Sequence, residues 1–330
     1  MTTRAFGRTG LRLPAIGFGC MGLVGWYGTR DDAEARATVL EAIAAGITHL
    51  DTAASYQNGA NERFLGEIVR TLDRPRQSLF IASKYGIARG SGGEPIIDNA
   101  PESLRRACDS SLSNLGSDYL DLYYLHRIDA RVPIEDSVGA LKDLVRAGKI
   151  RHLGLSECSL ATLRRAHATH PIAAVQSEYS LWSRDPEGGM LEACRESGIA
   201  FVAYSPLGRG FLAGNFRAVD ELPPEDVRRA LPRFSGDNGA HNVQLVDALR
   251  EFALRKGCSA PQLALAWVLG AGEHVFVIPG MKRRSHLREN LAAAALPLTA
   301  AERTELGALF DRLGVRGERH APAMMRAIDR

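Results

Sequence analysis

Strand-like and helix-like segments alternate along most of this chain, and that alternation restricts its possible folds more than any other feature. The strand-like runs are short and continuously apolar, as expected for parallel strands covered on both faces. They lie at residues 15–19, Thr48–Asp51, Leu79–Lys84, Leu120–His126, His152–Ser156, Ala173–Gln176, Ala200–Tyr204 and Val275–Ile278. After the first helix, the helix-like segments lie at about residues 61–72, 101–115, 135–147, 159–168, 187–197, 243–256 and 284–295. Eight such units predict an α/β fold, a closed (β/α)8 TIM barrel, with an open doubly wound sheet as the alternative.

Further segments surround these eight units. Glycines at positions 7 and 10 predict an N-terminal hairpin over residues 3–13. Asp31 or Asp32 is expected to cap the first helix, which ends at Gly46. Extra helices are predicted at residues 260–271 and 299–312, residues 206–241 are predicted to be a long loop, and the weakly patterned tail from residue 314 is left unassigned. The proline- and glycine-rich stretch 206–241 is long enough to predict a lid or binding loop. No linker divides the chain, so residues 1–330 are predicted to form a single domain.

Composition excludes several classes of protein. A net charge of +3 gives no support for nucleic-acid binding. No apolar run reaches the ~18 residues that a membrane span needs, and the N-terminus lacks the layout of a secretion signal. The five cysteines are far apart in sequence, with no C-x-x-C pair, which argues against disulfides and zinc. We therefore expect a reducing, cytoplasmic location, no metal, no nucleic acid and no membrane partner.

Four ionisable residues follow three consecutive strands. Asp51 ends the second strand and Tyr56 follows it, Lys84 ends the third strand and His126 ends the fourth. Because reactive groups of a (β/α)8 barrel gather at the C-terminal ends of its strands, all four should face one mouth. Taken singly, Asp51 is as easily a helix cap, Tyr56 a packing aromatic and His126 a core histidine. Their joint placement predicts a catalytic site.

These residue types suit the protonation of a carbonyl oxygen. A phenol with a pKa of about 10 is a poor acid near neutrality. We expect the Lys84 ammonium to lower the pKa of Tyr56, and Asp51 to keep Lys84 charged and in place. His126 could hydrogen-bond a substrate oxygen. Lys84 could instead form a Schiff base, as in lyases and aldolases.

The motifs together resemble those of the aldo-keto reductase superfamily. They are Asp51-Thr-Ala-x-x-Tyr56 with Gly59-x-Asn61-Glu62, Ser83-Lys84-Tyr85-Gly86, Asp121-Leu-Tyr-Tyr-Leu-His126-Arg127 and Ile278-Pro279-Gly280. The resemblance covers Arg4 to about residue 312, and is nearest to the bacterial and plant branch with long loops. It implies NADPH-dependent reduction of a small-molecule aldehyde or ketone by direct hydride transfer. Tyr56 would be the general acid, with Lys84, Asp51 and His126 in support.

The resemblance also implies a set of cofactor-binding residues. On the nicotinamide side and along the pyrophosphate these are Gly19, Cys20, Met21, Asp51, Ser156, Gln176, Tyr204, Ser205, Pro206, Leu207, Gly208, Arg209 and Gly210. Around the adenosine they are Ile278, Gly280, Lys282, Arg283, Arg284, His286, Glu289 and Asn290. Clustered cations near Lys282 favour the 2′-phosphate of NADP over NAD. Glu157 departs from the asparagine commonest in the family, and Gly280-Met281 replaces its common Lys-Ser pair.

The substrate is expected to contact aromatic side chains on the mouth loops, namely Trp26, Tyr27 and Trp182. Several aromatics favour aromatic or medium-chain aldehydes and ketones. A cofactor-binding regulatory subunit, similar to the potassium-channel β subunits, is an alternative to an enzyme. The sequence predicts no particular oligomeric state.

Overall fold

The computed structural model describes residues 2–90, 92 and 94–329, which contain twelve strands. They are β1 (Thr3–Ala5), β2 (Arg12–Pro14), β3 (Phe18–Gly19), β4 (His49–Asp51), β5 (Phe80–Tyr85), β6 (Ile87–Arg89), β7 (Pro95–Ile97), β8 (Leu120–Leu125), β9 (Ile150–Ser156), β10 (Ile172–Glu178), β11 (Ala200–Tyr204) and β12 (Val275–Ile278). Eight of them, β3 to β5 and β8 to β12, form one parallel sheet in which neighbours in sequence are neighbours in space.

The sheet closes into a barrel through contacts between its first and last strands. Gly17 donates its amide to the carbonyl of Val277 at 2.8 Å, and Gly19 donates to the carbonyl of Pro279 at 3.1 Å. A Cβ on Gly19 would lie 2.5 Å from the carbonyl oxygen of Ile278, so this close approach requires glycine. The predicted (β/α)8 barrel is confirmed, and the open doubly wound sheet is wrong.

Helices surround the barrel and follow its strands. They are α1 (Asp32–Ala44), α2 (Ala60–Arg70), α3 (Pro101–Leu115), α4 (Ile134–Arg146), α5 (Leu160–Thr169), α6 (Met190–Ser197), α7 (Gly236–Lys256), α8 (Ala260–Leu269), α9 (Arg284–Ala292), α10 (Ala300–Leu313) and α11 (Pro322–Met325). Asp31 caps α1 by accepting from the amide of Glu34 at 3.0 Å. Ser259 and Thr299 begin α8 and α10 with capping boxes. No helix in the described part of the chain combines the length and the apolar character that crossing a membrane requires.

The N-terminal hairpin carries an aromatic side chain into one of the two buried cores. Phe6, between β1 and β2, is fully buried. Its ring contacts those of His49, Phe80 and Phe276, with centroids 5.8, 5.0 and 5.1 Å away. His49 and Phe80 begin β4 and β5, so the hairpin packs at the end of the barrel opposite the C-terminal strand ends. The hairpin predicted over residues 3–13 is therefore confirmed.

The segment predicted as a loop over residues 206–241 is partly helical. It contains short 3-10 turns at Gly208–Gly210, Val219–Glu221 and Val227–Ala230. Helix α7 then begins at Gly236, seven residues earlier than the helix predicted over 243–256. The tail that the sequence left unassigned contains α11 and lies against the barrel, because Asp329 bonds to Ser159.

Candidate active site

Four ionisable side chains lie together at the C-terminal ends of the barrel strands. Asp51 ends β4, Lys84 lies one residue before the end of β5, and His126 directly follows β8. The Lys84 ammonium donates to Asp51 at 2.5 Å and to the carbonyl of Thr52 at 2.8 Å. Its nitrogen is 5.2 Å from the ring centroid of Tyr56, and the rings of Tyr56 and His126 pack edge to face with centroids 5.9 Å apart.

The loops that carry these groups are held by buried polar contacts. Asn61 accepts from the Thr52 hydroxyl at 2.6 Å and donates to the carbonyl of Cys20 at 2.8 Å. Glu62 accepts from the Ser83 hydroxyl at 2.6 Å. The Asn-Glu pair at the start of α2 thus ties together the loop after β3, the loop after β4 and strand β5. Such fully bonded buried networks fix the geometry of nearby groups.

Burial and charge set the ionisation of the site. Burial alone would lower the pKa of Lys84, but Asp51 and Tyr56 together raise it, so the amine stays protonated. Burial, with Arg127 and Lys84, lowers the pKa of His126 well below its usual value, so the imidazole is neutral near pH 7.

The predicted lowering of the Tyr56 pKa is wrong. The nearby positive charge of Lys84 does act to lower the pKa of Tyr56. Burial of the phenol raises that pKa by more, because it disfavours the charged phenolate, and the net shift is upward. Tyr56 is therefore a protonated phenol throughout the neutral range.

A cavity of about 1110 Å³ opens beside these groups. Most of the residues predicted from the sequence line it: Gly19, Cys20, Met21, Trp26, Tyr27, Asp51, Tyr56, His126, Ser156, Gln176, Tyr204, Ser205, Pro206, Leu207, Arg209, Gly210, Ile278, Gly280, Lys282, Arg283, His286, Glu289 and Asn290. The described residues contain no cluster of histidine, cysteine, aspartate or glutamate able to hold a metal ion. Burial raises the pKa of the Cys20 thiol, which makes it a poor nucleophile.

Four of the predicted site residues do not line the cavity: Lys84, Gly208, Arg284 and Trp182. Arg284 instead pairs with Glu34 at 2.9 Å on the outside of the barrel. Trp182 is 4% exposed and stacks on Phe211, with ring centroids 5.3 Å apart, so the structure places it in the core and not at the cavity. Gly208 packs beneath that indole, where a Cβ would lie 2.6 Å from the ring.

Two of the residues predicted to bind the nicotinamide side of the cofactor are already bonded to neighbours. Gln176 donates its amide nitrogen to Asp51 at 2.8 Å, and the hydroxyl of Ser156 accepts from Arg127 at 3.4 Å. Both side chains are buried at the cavity wall, at the ends of β9 and β10. Asp51 therefore connects Lys84 to Gln176, so one carboxylate orders both the proton-transfer groups and this wall.

The basic residues 282–284 differ in whether their charges are bonded within the protein or are accessible to a ligand. Lys282 donates to the backbone carbonyls of Tyr27 and Thr29, at 3.0 Å in the second case. Burial, with Arg228 and Arg283, lowers its pKa. Arg283 is exposed, lines the cavity and has no ion-pair or hydrogen-bond partner for its guanidinium among the residues that the structure describes. It is the cation best placed to meet an anionic ligand.

Contacts between distant loops were missed by sequence reasoning. Asp226 accepts from the amide of Gly28 at 2.7 Å, and Arg228 pairs with Asp226 and lies over the ring of Tyr27. The tail contributes Arg319 and His320, both buried. For the Asp226–Arg228 ion pair the sequence signal was weak, namely an aspartate and an arginine two positions apart in a proline-rich loop. The tail has no periodic pattern that could have placed its residues.

Comparison with known proteins agrees with this architecture. The model of the Aldo/keto reductase family matches residues 15–310, nearly the whole chain. The chain belongs to the aldo-keto reductase family. It is similar to the aldo-keto reductase yakc [NADP(+)] of Schizosaccharomyces pombe, with 42% identity over 314 residues that cover 94% of this chain and 92% of the relative. This aldo-keto reductase is accordingly an oxidoreductase.

Solved structures extend the likeness to the fold. The glycerol dehydrogenase AKR11B4 from Gluconobacter oxydans superposes with a TM-score of 0.84 at 25% identity, covering 97% of this chain and 98% of that one. The holo form of the aldo-keto reductase AKR11C1 from Bacillus halodurans gives a TM-score of 0.77 at 28% identity, covering 97% and 100%.

Proposed function

We propose that this aldo-keto reductase uses NADPH to reduce aldehydes or ketones to alcohols. The observation that carries the proposal is the convergence of four groups at the large cavity: Asp51, Tyr56 and His126 line it, and the buried Lys84 bonds to Asp51 and lies beside Tyr56. The similar Schizosaccharomyces pombe protein, whose name includes NADP(+), supports the choice of cofactor.

The cavity residues fit such a cofactor. Asn290 is 2% exposed yet lines the cavity, and its amide has no hydrogen-bond partner among the described residues. An amide that faces the cavity can bond to the adenine amino group, which is the role we propose for Asn290 together with Glu289. Arg283, with Lys282 and His286, would meet the 2′-phosphate. Tyr204 would stack on the nicotinamide, while Ser156 and Gln176 would bond its carboxamide.

When bound, NADPH supplies a hydride to the carbonyl carbon. Tyr56 donates its phenolic proton to the carbonyl oxygen as negative charge develops there, which completes the alcohol. Lys84, held charged by Asp51, stabilises the phenolate that remains. Neutral His126 would orient the oxygen from its Nε2–H, since Nδ1 lies 3.3 Å from the Ser55 hydroxyl and would accept from it.

The cavity also supports a substrate class. Its lining includes large apolar and aromatic side chains, namely Trp26, Tyr27, Phe216, Leu222 and Leu231. We therefore propose aromatic or medium-chain aliphatic carbonyl compounds as substrates. We further propose that the chain acts as a single domain, because the N-terminal hairpin and the tail both pack on the barrel, and that it is a cytoplasmic enzyme.

The alternatives from other classes are less well supported. A Schiff base needs a neutral amine, whereas the pKa of Lys84 is raised by Asp51 and Tyr56 against the effect of burial. Trapping with borohydride would detect such an imine. A regulatory subunit would bind NADPH without turning over.

The test of the proposed function is NADPH consumption with a panel of aromatic and aliphatic aldehydes and ketones, with the alcohol product identified. Consumption matched by alcohol formation, with weaker activity on NADH, is expected. Tight NADPH binding without turnover of any member of the panel would support a regulatory role instead.

A further inference from the structure

The C-terminal tail, residues 314–329, is bonded to the loops at the barrel mouth. Arg319 donates both guanidinium nitrogens to the carboxylate of Glu157, at 2.8 and 2.7 Å. His320 lies 3.3 Å from the hydroxyl of Tyr204 and 3.0 Å from a guanidinium nitrogen of Arg209. Asp329 accepts from the amide and the hydroxyl of Ser159, both at 3.0 Å. The tail thus bonds to residues that adjoin or form the proposed nicotinamide wall.

Glu157 is the anion at the centre of these contacts. It directly follows Ser156 at the end of β9, is 3% exposed, and has a left-handed backbone with φ of 54°. Its carboxylate also accepts from the amide of Glu178 at 2.8 Å. Burial alone would raise the pKa of Glu157, but Arg319, Arg127 and that amide lower it, so the group is a carboxylate. A buried carboxylate needs a cation, and the tail supplies one.

The charge of the Glu157 side chain should affect cofactor binding, because the nicotinamide ring differs in charge between the oxidised and the reduced cofactor. The nicotinamide ring carries one positive charge when oxidised and none when reduced. An uncompensated carboxylate near Ser156 would attract the oxidised ring and retain NADP+ after reduction, since charges in a buried site interact strongly. A charged pair with no net charge exerts a much smaller preference.

We propose that Arg319 is a positioning residue that cancels the charge of Glu157 beside the nicotinamide site, and so prevents the enzyme from favouring NADP+ over NADPH. This inference rests on the proposed function, because it requires that NADPH binds with its nicotinamide near Ser156. The tail would thereby influence how tightly NADPH binds before the reaction and how readily NADP+ is released after it.

The test compares variants in which the charge of Glu157, of Arg319 or of both is removed. For each protein the equilibrium dissociation constants of NADP+ and NADPH are measured at pH 8. Arg319→Gln removes the ion-pair partner of the carboxylate and leaves only the more distant charge of Arg127, so the ratio Kd(NADP+)/Kd(NADPH) should fall by about three- to tenfold. Glu157→Gln leaves the guanidinium uncompensated, and the ratio should rise. The double variant restores the net charge and should restore the wild-type ratio, as should the charge-conserving Arg319→Lys.

A structural role alone would give a different pattern. Loosening the tail would weaken both forms of the cofactor together, so both single variants would keep the wild-type ratio. Ser159→Ala is the matched control, because it removes an uncharged anchor of the tail; its two dissociation constants should move together. Retention of the wild-type ratio in folded Arg319→Gln, with melting temperature monitored, would overturn the inference. Failure of the wild-type protein to bind either form would instead overturn the proposed function.

Discussion

Tyr56 is the residue on which the proposed chemistry depends most. Replacement of Tyr56 by phenylalanine removes the proton donor and keeps the ring that packs against His126. We expect turnover to fall by about 10²-fold or more, the scale of one general acid, with little change in NADPH affinity.

Steady-state turnover and a fluorescence titration with NADPH measure the two quantities separately. Tyr119→Phe is a suitable control, because Tyr119 precedes β8 at the opposite end of the strand and contacts Arg76 and Arg151. Equal losses in the two variants would contradict the assignment of Tyr56.

The ionisation of the site makes a prediction about pH. Burial raises the pKa of Tyr56 above its usual value, so the phenol remains an acid as pH rises through neutrality. The pKa of His126 is lowered by burial, Arg127 and Lys84, so the imidazole does not gain a proton as pH falls towards 6. The rate kcat/KM for reduction should therefore stay level from about pH 6 to 9 and decline only above about pH 10. A titration step near pH 7 would contradict it.

For individual residues, the spacing in the sequence correctly indicated which side chains lie close together. It contained little information about how deeply those side chains are buried. Strand ends placed Asp51, Lys84 and His126 correctly, because parallel strands end at one edge. The direction of the Tyr56 pKa shift depends on burial by residues distant in sequence, which the motif does not contain. Arg319 was missed because its partner is 162 positions away and the tail has no period.

Among the structural elements, the turn between β12 and α9 is predicted to select the cofactor. Arg283 lines the cavity with no partner among the described residues, whereas Arg284 beside it is paired with Glu34. We expect Arg283→Ala to reduce the preference for NADPH over NADH by about 10-fold or more, the scale of one charge-assisted hydrogen bond.

The neighbouring arginine provides the control for that experiment. Arg284→Ala removes an equal charge from the next residue, the first of α9, and should change the ratio of the NADPH and NADH dissociation constants far less. If Arg284→Ala has the larger effect, the 2′-phosphate does not bind where we propose.

The N-terminal hairpin should contribute to stability and not to chemistry. Phe6 is fully buried among aromatic rings. Phe6→Ala should lower the free energy of unfolding by about 3–5 kcal/mol. Leu11→Ala in the same hairpin, where the side chain is 38% exposed, should cost less than about 0.5 kcal/mol. Chemical denaturation of the two variants measures both, and similar losses would show that Phe6 does not anchor the hairpin.

Strands made of continuous apolar runs were predictable from sequence, whereas a glycine-containing helix start and a partly exposed hairpin were not. Strands β11 and β12 have the predicted bounds, because apolar runs end at polar residues or Pro279. The start of α7 was missed since its first turns contain Gly236 and Gly239, which are poor helix formers. The short hairpin of β6 and β7 was also missed, since it is exposed and not continuously apolar.

In the molecule as a whole, the barrel brings residues from distant parts of the chain to one cavity. The N-terminal hairpin packs at one end of the barrel, and the C-terminal tail bonds to loops at the other. Asp51 contacts both Lys84 from β5 and Gln176 from β10, which are 92 positions apart in sequence. The cavity exists because the barrel places the ends of these strands side by side. The chemistry at its centre, direct hydride transfer coupled to protonation by Tyr56, is the claim that most needs measurement.

That measurement is the reduction of an aromatic aldehyde with NADPH that carries deuterium at the transferable C4 position. We expect an alcohol with one deuterium on the former carbonyl carbon and a proton from solvent on its oxygen, formed much more slowly by Tyr56→Phe. An alcohol without deuterium, or unchanged formation by folded Tyr56→Phe, would contradict it.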